Sequence, residues 1–281
     1  MKKIGLILLC IIAILCTACA GKDSVEYGDS ITITLDGCDM VLNKITAGSF
    51  LMGSYEGIGD EDELPVREIS ITSDFYMGIY EVTQAQWEAV MGNNPSSFKG
   101  SDLPVETVSW EDAVEFCDKL SKLSGYDVSL PTEAQWEYAC RAGAATRWFF
   151  GDDETLYGTY GETNVDAKTY SVGSFEPNPN GLYDMYGNVM EWCLDYYSSE
   201  YLADDLENPI GPKNGEAKVS QGGGWGGSPD TCRSGYRNAC GADNATDGIG
   251  FRIVINLEDN YVKRCVQKCM HLFHVFVCFS K

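Results

Sequence analysis

A glycine-rich stretch from Gly222 to Arg252 places the strongest constraint on how this chain can fold. It begins with three consecutive glycines, ends with Gly250-Phe251-Arg252, and carries mostly small and polar residues between them. Such a segment cannot build much core of its own, so it must lie over a scaffold supplied by the rest of the chain. Loops on a rigid scaffold are where binding and catalytic residues concentrate. The stretch is therefore expected to carry the function, either by catalysis or by binding.

Composition and charge narrow the possible functions. The chain has 281 residues, of which 44% are hydrophobic and 12% aromatic, as in a globular protein. Its formal net charge of -22 repels phosphate backbones, so nucleic acid is not expected as a partner. Residues 1–270 contain no histidine, which excludes a Ser-His-Asp site and a histidine-ligated zinc from the domain. A Walker loop and a dinucleotide fingerprint are also missing.

The first 19 residues have the pattern of a lipoprotein signal peptide. Two lysines precede an apolar run that is too short to span a bilayer as a mature helix. The following Leu15-Cys16-Thr17-Ala18-Cys19 resembles a bacterial lipobox with Cys19 as the lipidated residue, although Cys16 departs from the usual aliphatic residue. Ordinary signal cleavage near Ala18 or Ala20 is the alternative. The sequence thus predicts a protein of the bacterial cell envelope, periplasmic or surface-exposed, attached to the membrane through lipid on Cys19.

Cysteine usage agrees with export but predicts no disulfide framework. Nine cysteines follow Cys19, and an exported chain can form disulfides. Their odd number and scattered spacing leave the connectivity open.

Periodic apolar residues predict several strands. Alternation predicts a strand at Ser30–Leu35, a strand pair around a turn at Ala47-Gly48 within 41–52, and another strand at 67–77. A short strand is expected at Pro104–Val108, immediately before the second helix.

Three helices are predicted from their start signals. Thr83, Ser109 and Thr132 are each followed three residues later by Gln or Asp, which is the pattern of a capping box. The first helix is expected to end near Gly92 and the second at Gly125, because glycine commonly follows a helix.

The order of these elements predicts an α+β fold in one domain. Beyond Gly143, turn residues and aromatic residues dominate, so irregular structure with short strands is expected there. We divide the chain into a signal peptide at 1–19, a tether with the first strand at 20–40, the domain at 41–256 and an atypical tail at 257–281.

Seven motifs follow one another along the chain. They are Ala47-Gly48-Ser49-Phe50-Leu51-Met52-Gly53, Tyr80-Glu81-Val82-Thr83, Pro104-Val105-Glu106-Thr107-Val108-Ser109-Trp110, Leu130-Pro131-Thr132-Glu133-Ala134-Gln135-Trp136-Glu137-Tyr138, Gly181-Leu182-Tyr183-Asp184-Met185, Gly187-Asn188-Val189-Met190-Glu191-Trp192 and Gly250-Phe251-Arg252. In this order they resemble the formylglycine-generating enzyme family, also called sulfatase-modifying factor domains, over about Val41 to Val254. The resemblance implies a variant of the C-type lectin fold, with about three helices, short strands and much irregular structure.

Membership of a family does not settle function, and the copper site of these enzymes is incomplete here. The resemblance implies oxidation of a sulfatase cysteine to formylglycine by a copper ion that two cysteines hold. Their positions correspond to Gly227 and Cys232, and the family serine corresponds to Gly224. Linear Cu(I) coordination requires two thiolates, so Cys232 alone cannot make the site. Copper is expected only in an enzyme whose rearranged loop brings Cys240 near Cys232.

A calcium site is the second expectation. Asp184, Gly187, Val189 and Glu191 fall within eight residues in a non-helical setting. Two carboxylates and two backbone carbonyls are hard donors suited to calcium. The resemblance assigns these positions to a calcium site of the family, with Asp184 in place of asparagine. The alternative is a turn held by hydrogen bonds of the two acidic side chains.

Two further groups of possible ligands carry weaker signals. Asn164 and Val165 match half of a second calcium site of the family, but the acidic segment that completes it is shortened here. The tail offers a possible zinc cluster at Cys265, Cys269, His271, His274 and Cys278. Its spacing fits no common zinc finger, so we expect a terminal extension without a role in the fold.

The loop 225–247 is expected to bind rather than to catalyse. Small polar residues together with Trp and Tyr are typical of adaptable binding surfaces. The loop also resembles that of variable proteins of diversity-generating retroelements, which implies possible sequence diversification. Its ligand would be a protein or a glycan. The residues expected on one displayed face are Trp225, Gly226, Gly227, Ser228, Asp230, Thr231, Tyr236, Asn238, Asp243, Asn244, Thr246 and Asp247.

Two other functions remain open at this point. The first is an oxidase of formylglycine-generating type, or a related sulfur oxidation, in which Cys232 is the lone essential thiol. The second is a structural envelope lipoprotein that uses the domain as a protein-interaction scaffold.

Overall fold

Short strands and four helices alternate in the computed structural model, which describes residues 28–162, 167–202 and 205–257. The strands are β1 (Ser30–Leu35), β2 (Cys38–Ile45), β3 (Gly48–Met52), β4 (Arg67–Ile71), β5 (Phe75–Gly78), β6 (Val128–Ser129), β7 (Gly161–Glu162), β8 (Tyr186–Gly187), β9 (Met190–Tyr196), β10 (Lys218–Gln221), β11 (Asn238–Cys240), β12 (Ile249–Gly250) and β13 (Val254–Asn256). The helices are α1 (Gln84–Met91), α2 (Trp110–Ser124), α3 (Glu133–Arg141) and α4 (Tyr157–Tyr160). This confirms the α+β class.

Two sheets organise the described chain. The larger has the order β1-β2-β5-β13-β6, and each neighbouring pair is antiparallel. The second has the order β11-β10-β9-β12, with β12 parallel to β9. Strands from both ends of residues 29–257 therefore meet in one compact unit. No helix in the described ranges is long and apolar enough to cross a membrane.

The three predicted helices begin where their capping residues place them. The hydroxyls of Thr83, Ser109 and Thr132 each accept the backbone N–H three residues on, and the side chain there bonds back to the cap. Gly92 and Gly125 end α1 and α2 in the left-handed conformation, which costs glycine little. The start signals are thus confirmed.

Helix α3 lies at the centre of the fold. It packs against β3, β4, β9 and β10. Trp136 and Ala139 are fully buried in the core, and the Trp136 Nε1–H donates to the Glu191 carboxylate over 2.6 Å. The helix therefore joins the second sheet to the β3–β4 hairpin, beneath the glycine-rich stretch.

Strand pairing differs from the sequence predictions in three places. β2 and β3 do not pair with each other, because β2 lies between β1 and β5 while β3 pairs with β4. The predicted strand at 67–77 is divided into β4 and β5, and the Asp74 side chain at the break accepts the Ala47 N–H. At Pro104–Val108 only a bridge from Pro104 to Thr83 forms, because Thr107 adopts a left-handed φ of 60°.

Candidate functional site

The glycine run carries the chain from β10 past a buried sulfur atom. Gly222 and Gly223 have φ values of 88° and 68°, which non-glycine residues rarely adopt. A Cβ atom on Gly223 would overlap the Cys232 Sγ. The run is therefore fixed by backbone conformation and by the thiol that it covers.

Cys232 is buried and protonated at neutral pH. It ends a short 3-10 turn, Pro229–Cys232, and its side chain has no exposed surface. Burial raises the pKa of its thiol to about 11, although hydrogen bonding with Tyr157 and Thr231 acts in the opposite direction. A thiol reacts or binds metal as the thiolate, so this sulfur, with no second cysteine beside it in the described part of the chain, is poorly suited to either role.

The other described cysteines do not complete a copper site. All six described cysteines, Cys232 among them, are free thiols. The Cys240 sulfur accepts hydrogen bonds from Asn238 Nδ2 at 3.0 Å and Ser220 Oγ at 3.8 Å, so its contacts lie between β10 and β11. Cys140 donates instead to Ser234 Oγ at 3.7 Å. With glycine at position 227 and one protonated thiol at 232, these residues do not fit a two-thiolate copper ion.

The predicted contact residues of the loop all reach the surface, and none is buried. Gly226, Ser228, Asp230, Asp243, Asn244 and Thr246 are exposed. The partly exposed ones are Trp225, Gly227, Thr231, Tyr236, Asn238 and Asp247. We call residues 225–247 the display loop.

One part of the display loop is built around Trp225. Its Nε1–H donates to the Asp247 carbonyl at 2.9 Å, which ties the start of the loop to its end. The ring meets Phe98 edge to face at 5.7 Å between centroids. Sequence reasoning missed Phe98, because it comes from a connecting segment about 130 residues away along the chain and has no local signal.

A second part is organised by Arg233, which is 1% exposed. Its guanidinium pairs with Asp230 at 3.0 Å, with Glu63 at 2.6 Å and with Asp60 at 3.6 Å, and it lies 5.6 Å from the Tyr236 ring centre. These paired charges fix the loop against residues 60–63. The Asn238 side chain bonds inward to Ser220 and is less available to a ligand.

The predicted calcium residues lie in a buried acidic setting. Asp184 is 3% exposed and Glu191 is fully buried. The Glu191 carboxylate accepts both Arg252 Nε and Nη2 at 2.6 Å, as well as Trp136 Nε1. Burial raises the pKa of Asp184 to about 6, and burial also raises the pKa of the neighbouring Glu81.

These residues fit a hard cation. Asp184 Oδ2 accepts the Gly173 N–H at 2.5 Å, but Asp184 Oδ1 is buried without a hydrogen-bond partner. Three buried carboxyl groups, those of Glu81, Asp184 and Glu191, share the charge of Arg252. Asp184, Glu191 and the carbonyls of Gly187 and Val189 would supply oxygen ligands of the type that calcium takes. The calcium site remains a prediction.

Several other predicted sites lie outside the described residues. These are the lipidated Cys19, the half-site at Asn164 and Val165, and the cysteines and histidines of the tail. Within the described part, the one group of three acidic, cysteine or histidine side chains close enough to share an ion is Asp60, Asp62 and Glu63. Arg233 already pairs with two of them.

Comparison with known proteins gives the family. Residues 35–257 match the model of the sulfatase-modifying factor enzyme 1-like domain, a span that includes the second sheet, the larger sheet from β2 onward and the display loop. The chain belongs to this family. The predicted resemblance and the variant C-type lectin fold are thus confirmed.

Proteins with different names resemble the chain. It is 32% identical over 236 residues to the chaperone protein LppX of Paenibacillus barcinonensis, covering 65% of this chain and 80% of that protein. It is 29% identical over 281 aligned positions to the formylglycine-generating enzyme of Bos taurus, covering 74% and 72%. The structure of Treponema denticola variable protein 1 matches with a TM-score of 0.76 and 28% identity, covering 82% of this chain and 100% of that one.

Proposed function

We propose that the chain is a lipid-anchored, extracytoplasmic binding protein that presents the display loop to a protein or glycan ligand. The observation that carries this proposal is the contrast between Cys232 and its surroundings in the loop. The single thiol at the position of the family's copper ligands is buried with a raised pKa, whereas every predicted contact residue reaches solvent. Such a loop is suited to recognition by surface contacts.

The similarity to Treponema denticola variable protein 1 supports a loop that tolerates sequence variation on a fixed scaffold. In this chain the scaffold contacts come from Trp225 and Arg233, while Asp243, Asn244 and Thr246 are exposed. Diversification by a retroelement would leave a near-copy of the DNA for residues 225–252 beside a reverse-transcriptase gene, differing mainly at adenines. If the genome lacks that copy, the loop is not diversified by a retroelement, whereas the proposed binding function still stands.

Binding is tested by screening the protein on a glycan array and on a peptide-display library. The best ligand is then titrated against Trp225→Ala and against Asn244→Ala/Thr246→Ala. We expect at least tenfold weaker binding for Trp225→Ala, because truncating a central aromatic contact commonly costs about 2 kcal/mol, and a smaller loss for the double variant. Asp118→Asn, at an exposed position on α2, is the matched control. Equal affinity in all four proteins would refute the display-loop proposal.

The oxidase alternative is favoured by one observation, the similarity to the bovine formylglycine-generating enzyme. It is tested by incubating the protein aerobically with Cu(I) and a cysteine-containing sulfatase peptide, with a two-cysteine family enzyme as positive control. We expect no loss of mass from the peptide. A mass loss that Cys232→Ser abolishes would establish the oxidase instead.

Anchoring through Cys19 is a separate part of the proposal. We expect the full chain to be recovered with membranes and to carry a diacylglycerol-modified N-terminal cysteine, and Cys19→Ala to lose both properties. Mass spectrometry of the N-terminal peptide makes the measurement. An unmodified peptide that begins near Ala18 or Ala20 would show ordinary cleavage.

A further inference from the structure

The segment Asp184–Glu191, which we call the cation segment, is bonded directly to the frame of the display loop. The Gly187 N–H donates to the Gly222 carbonyl at 2.9 Å, and the Met190 N–H donates to the Gly248 carbonyl at 2.8 Å. In the opposite direction, the Trp225 N–H donates to the Asn188 carbonyl at 2.8 Å. Three backbone hydrogen bonds thus hold both ends of the loop to one short segment.

The two segments are also in close contact. A Cβ atom on Gly224 would lie 3.2 Å from the Gly248 carbonyl oxygen, 3.6 Å from the Met190 nitrogen and 3.8 Å from the Asn188 carbonyl oxygen. A displacement of the cation segment by even part of an ångström would therefore also move Gly224 and Trp225. Tight packing of this kind transmits small shifts because it leaves no free space.

The backbone of the cation segment is unusual. Asp184 and Asn188 have left-handed φ values of 57° and 61°, which are uncommon outside glycine. Glu81, three residues before α1, holds the segment in place. Its carboxylate accepts Asn188 Nδ2 at 2.9 Å and the Val189 N–H at 3.3 Å. Strained backbone persists where the surroundings fix it, so whatever neutralises this acidic core also stabilises the conformation.

The buried acidic side chains around the segment outnumber the buried cations, so one more cation can be accommodated. Glu81, Asp184 and Glu191 are all nearly or fully buried, and Arg252 is the cation that pairs with Glu191. Asp184 Oδ1 is buried without a hydrogen-bond partner. A buried carboxylate oxygen is costly unless it is paired or bound to a metal.

We propose that calcium bound by the cation segment orders the display loop, so that ligand binding depends on calcium although no displayed residue contacts the ion. The bonds from Gly187, Asn188 and Met190 carry the effect to Gly222, Trp225 and Gly248. This inference rests on the proposed binding function and adds a means of regulating it.

The test is hydrogen–deuterium exchange of the full chain with and without calcium. We expect amides 222–225 and 248–250 to exchange roughly tenfold more slowly at about ten times the calcium Kd, because binding lowers the open population by the factor 1 + [L]/Kd. Peptides covering β1 report on the edge strand of the larger sheet, which pairs with β2, and should not change. Magnesium at the same concentration is the matched ion control.

Variants separate the steps of the proposal. Asp184→Ala should lose both calcium binding, measured by calorimetry, and loop protection, while Asp118→Asn should keep both. Asp184→Asn keeps an oxygen for the Gly173 N–H and removes only the charge, so it should fold, bind calcium more weakly than the wild type and show correspondingly less loop protection. Calcium binding without slower exchange at 222–225 would refute the coupling. No calcium binding would refute the cation site, whereas the display-loop titrations would still decide the binding function.

Discussion

Gly227 shows how one residue separates this chain from the two-thiolate members of its family. Its φ lies outside the left-handed region, so the backbone there accepts an L-residue. A Cβ atom on Gly227 would lie 3.8 Å from Cys232 Sγ. The loop thus keeps a backbone compatible with two neighbouring sulfurs, although only one is present.

We therefore predict that Gly227→Cys creates a Cu(I) site. The new side chain must displace the Thr231 hydroxyl, whose oxygen lies 2.7 Å from the Cβ position, and that group can rotate. Competition with a chromophoric Cu(I) chelator should show at least roughly tenfold tighter binding than in the wild type, because linear Cu(I) takes two soft thiolates.

Gly226→Cys is the matched control for this variant. A Cβ atom on Gly226 meets nothing within 4 Å, so a thiol there points away from Cys232. Equal copper affinity in the two cysteine variants would contradict the prediction. Adding Cys232→Ser to Gly227→Cys should remove the gain.

The position of Cys232 could be predicted from the sequence, but its chemical state could not. Counting residues from the glycine run shows which family position Cys232 occupies, and this requires only the sequence next to it. The raised pKa comes from burial in a core built by distant residues such as Trp136 and Trp148. Phe98 beside Trp225 escaped prediction for the same reason.

At the scale of elements, local signals predicted three of the four described helices and missed α4, which has no capping side chain, while strand pairing remained open. A capping box involves four adjacent residues, so Thr83, Ser109 and Thr132 could be identified from sequence alone. Alternation identified β1 and β2 but carries no information on which strands pair. Asp74 interrupts one extended segment through a side-chain hydrogen bond, and Thr107 interrupts another through its left-handed backbone. The periodicity of apolar residues predicts neither.

The cap of α2 gives a direct test of this local control. Ser109 Oγ accepts the Asp112 N–H at 3.0 Å, and Ser109→Ala removes that bond. We expect a loss of about 1 kcal/mol in the free energy of unfolding, measured by urea denaturation with an unchanged m value. Ser109→Thr, which can still cap the helix and donate to Asp112 Oδ2, should lose much less. Equal losses in both variants would count against the capping role.

A hydrogen bond between β9 and α3 leads us to predict that the stability of the fold depends on pH. Asp195 Oδ2 accepts the N–H of Glu133 at 2.8 Å, and Asp195 is 3% exposed. Burial, followed by the charge of Glu133, raises the pKa of Asp195 from 3.8 to about 8. The folded state therefore holds this proton more tightly than the unfolded state, so the contribution to stability is complete below pH 3.8 and is lost as the pH rises to about 8.

Asp195→Asn resembles the protonated side chain and should remove this dependence. Between pH 5 and 8, we expect the melting temperature of the variant to rise relative to the wild type by roughly 2–4 °C for each kcal/mol that is relieved. Differential scanning fluorimetry across that range makes the comparison, and Asp118→Asn controls for loss of one acidic charge. Parallel curves for the wild type and Asp195→Asn would refute the assignment.

For the whole molecule, Arg252 is the side chain that joins the two sheets. It follows β12 and precedes β13, and its guanidinium donates to the Gly78 carbonyl in the larger sheet at 3.1 Å. The same group forms two bonds with Glu191 on β9 in the second sheet. The closing Gly-Phe-Arg motif thus fixes the display loop, which ends just before it, to both layers of the fold.

We predict that Arg252→Ala lowers the free energy of unfolding by about 3–5 kcal/mol, because it leaves the Glu191 carboxylate buried beside Glu81 and Asp184 without its partner. Denaturant unfolding in the presence of a calcium chelator isolates this effect from any bound ion.

The double variant Arg252→Met/Glu191→Gln removes both charges and should be more stable than Arg252→Ala, since the cost comes from the unpaired charge. If Arg252→Ala does not fold, Arg252→Gln, which also removes the charge, takes its place in the comparison. A double variant less stable than either single one would show that the two sheets depend on the ion pair itself.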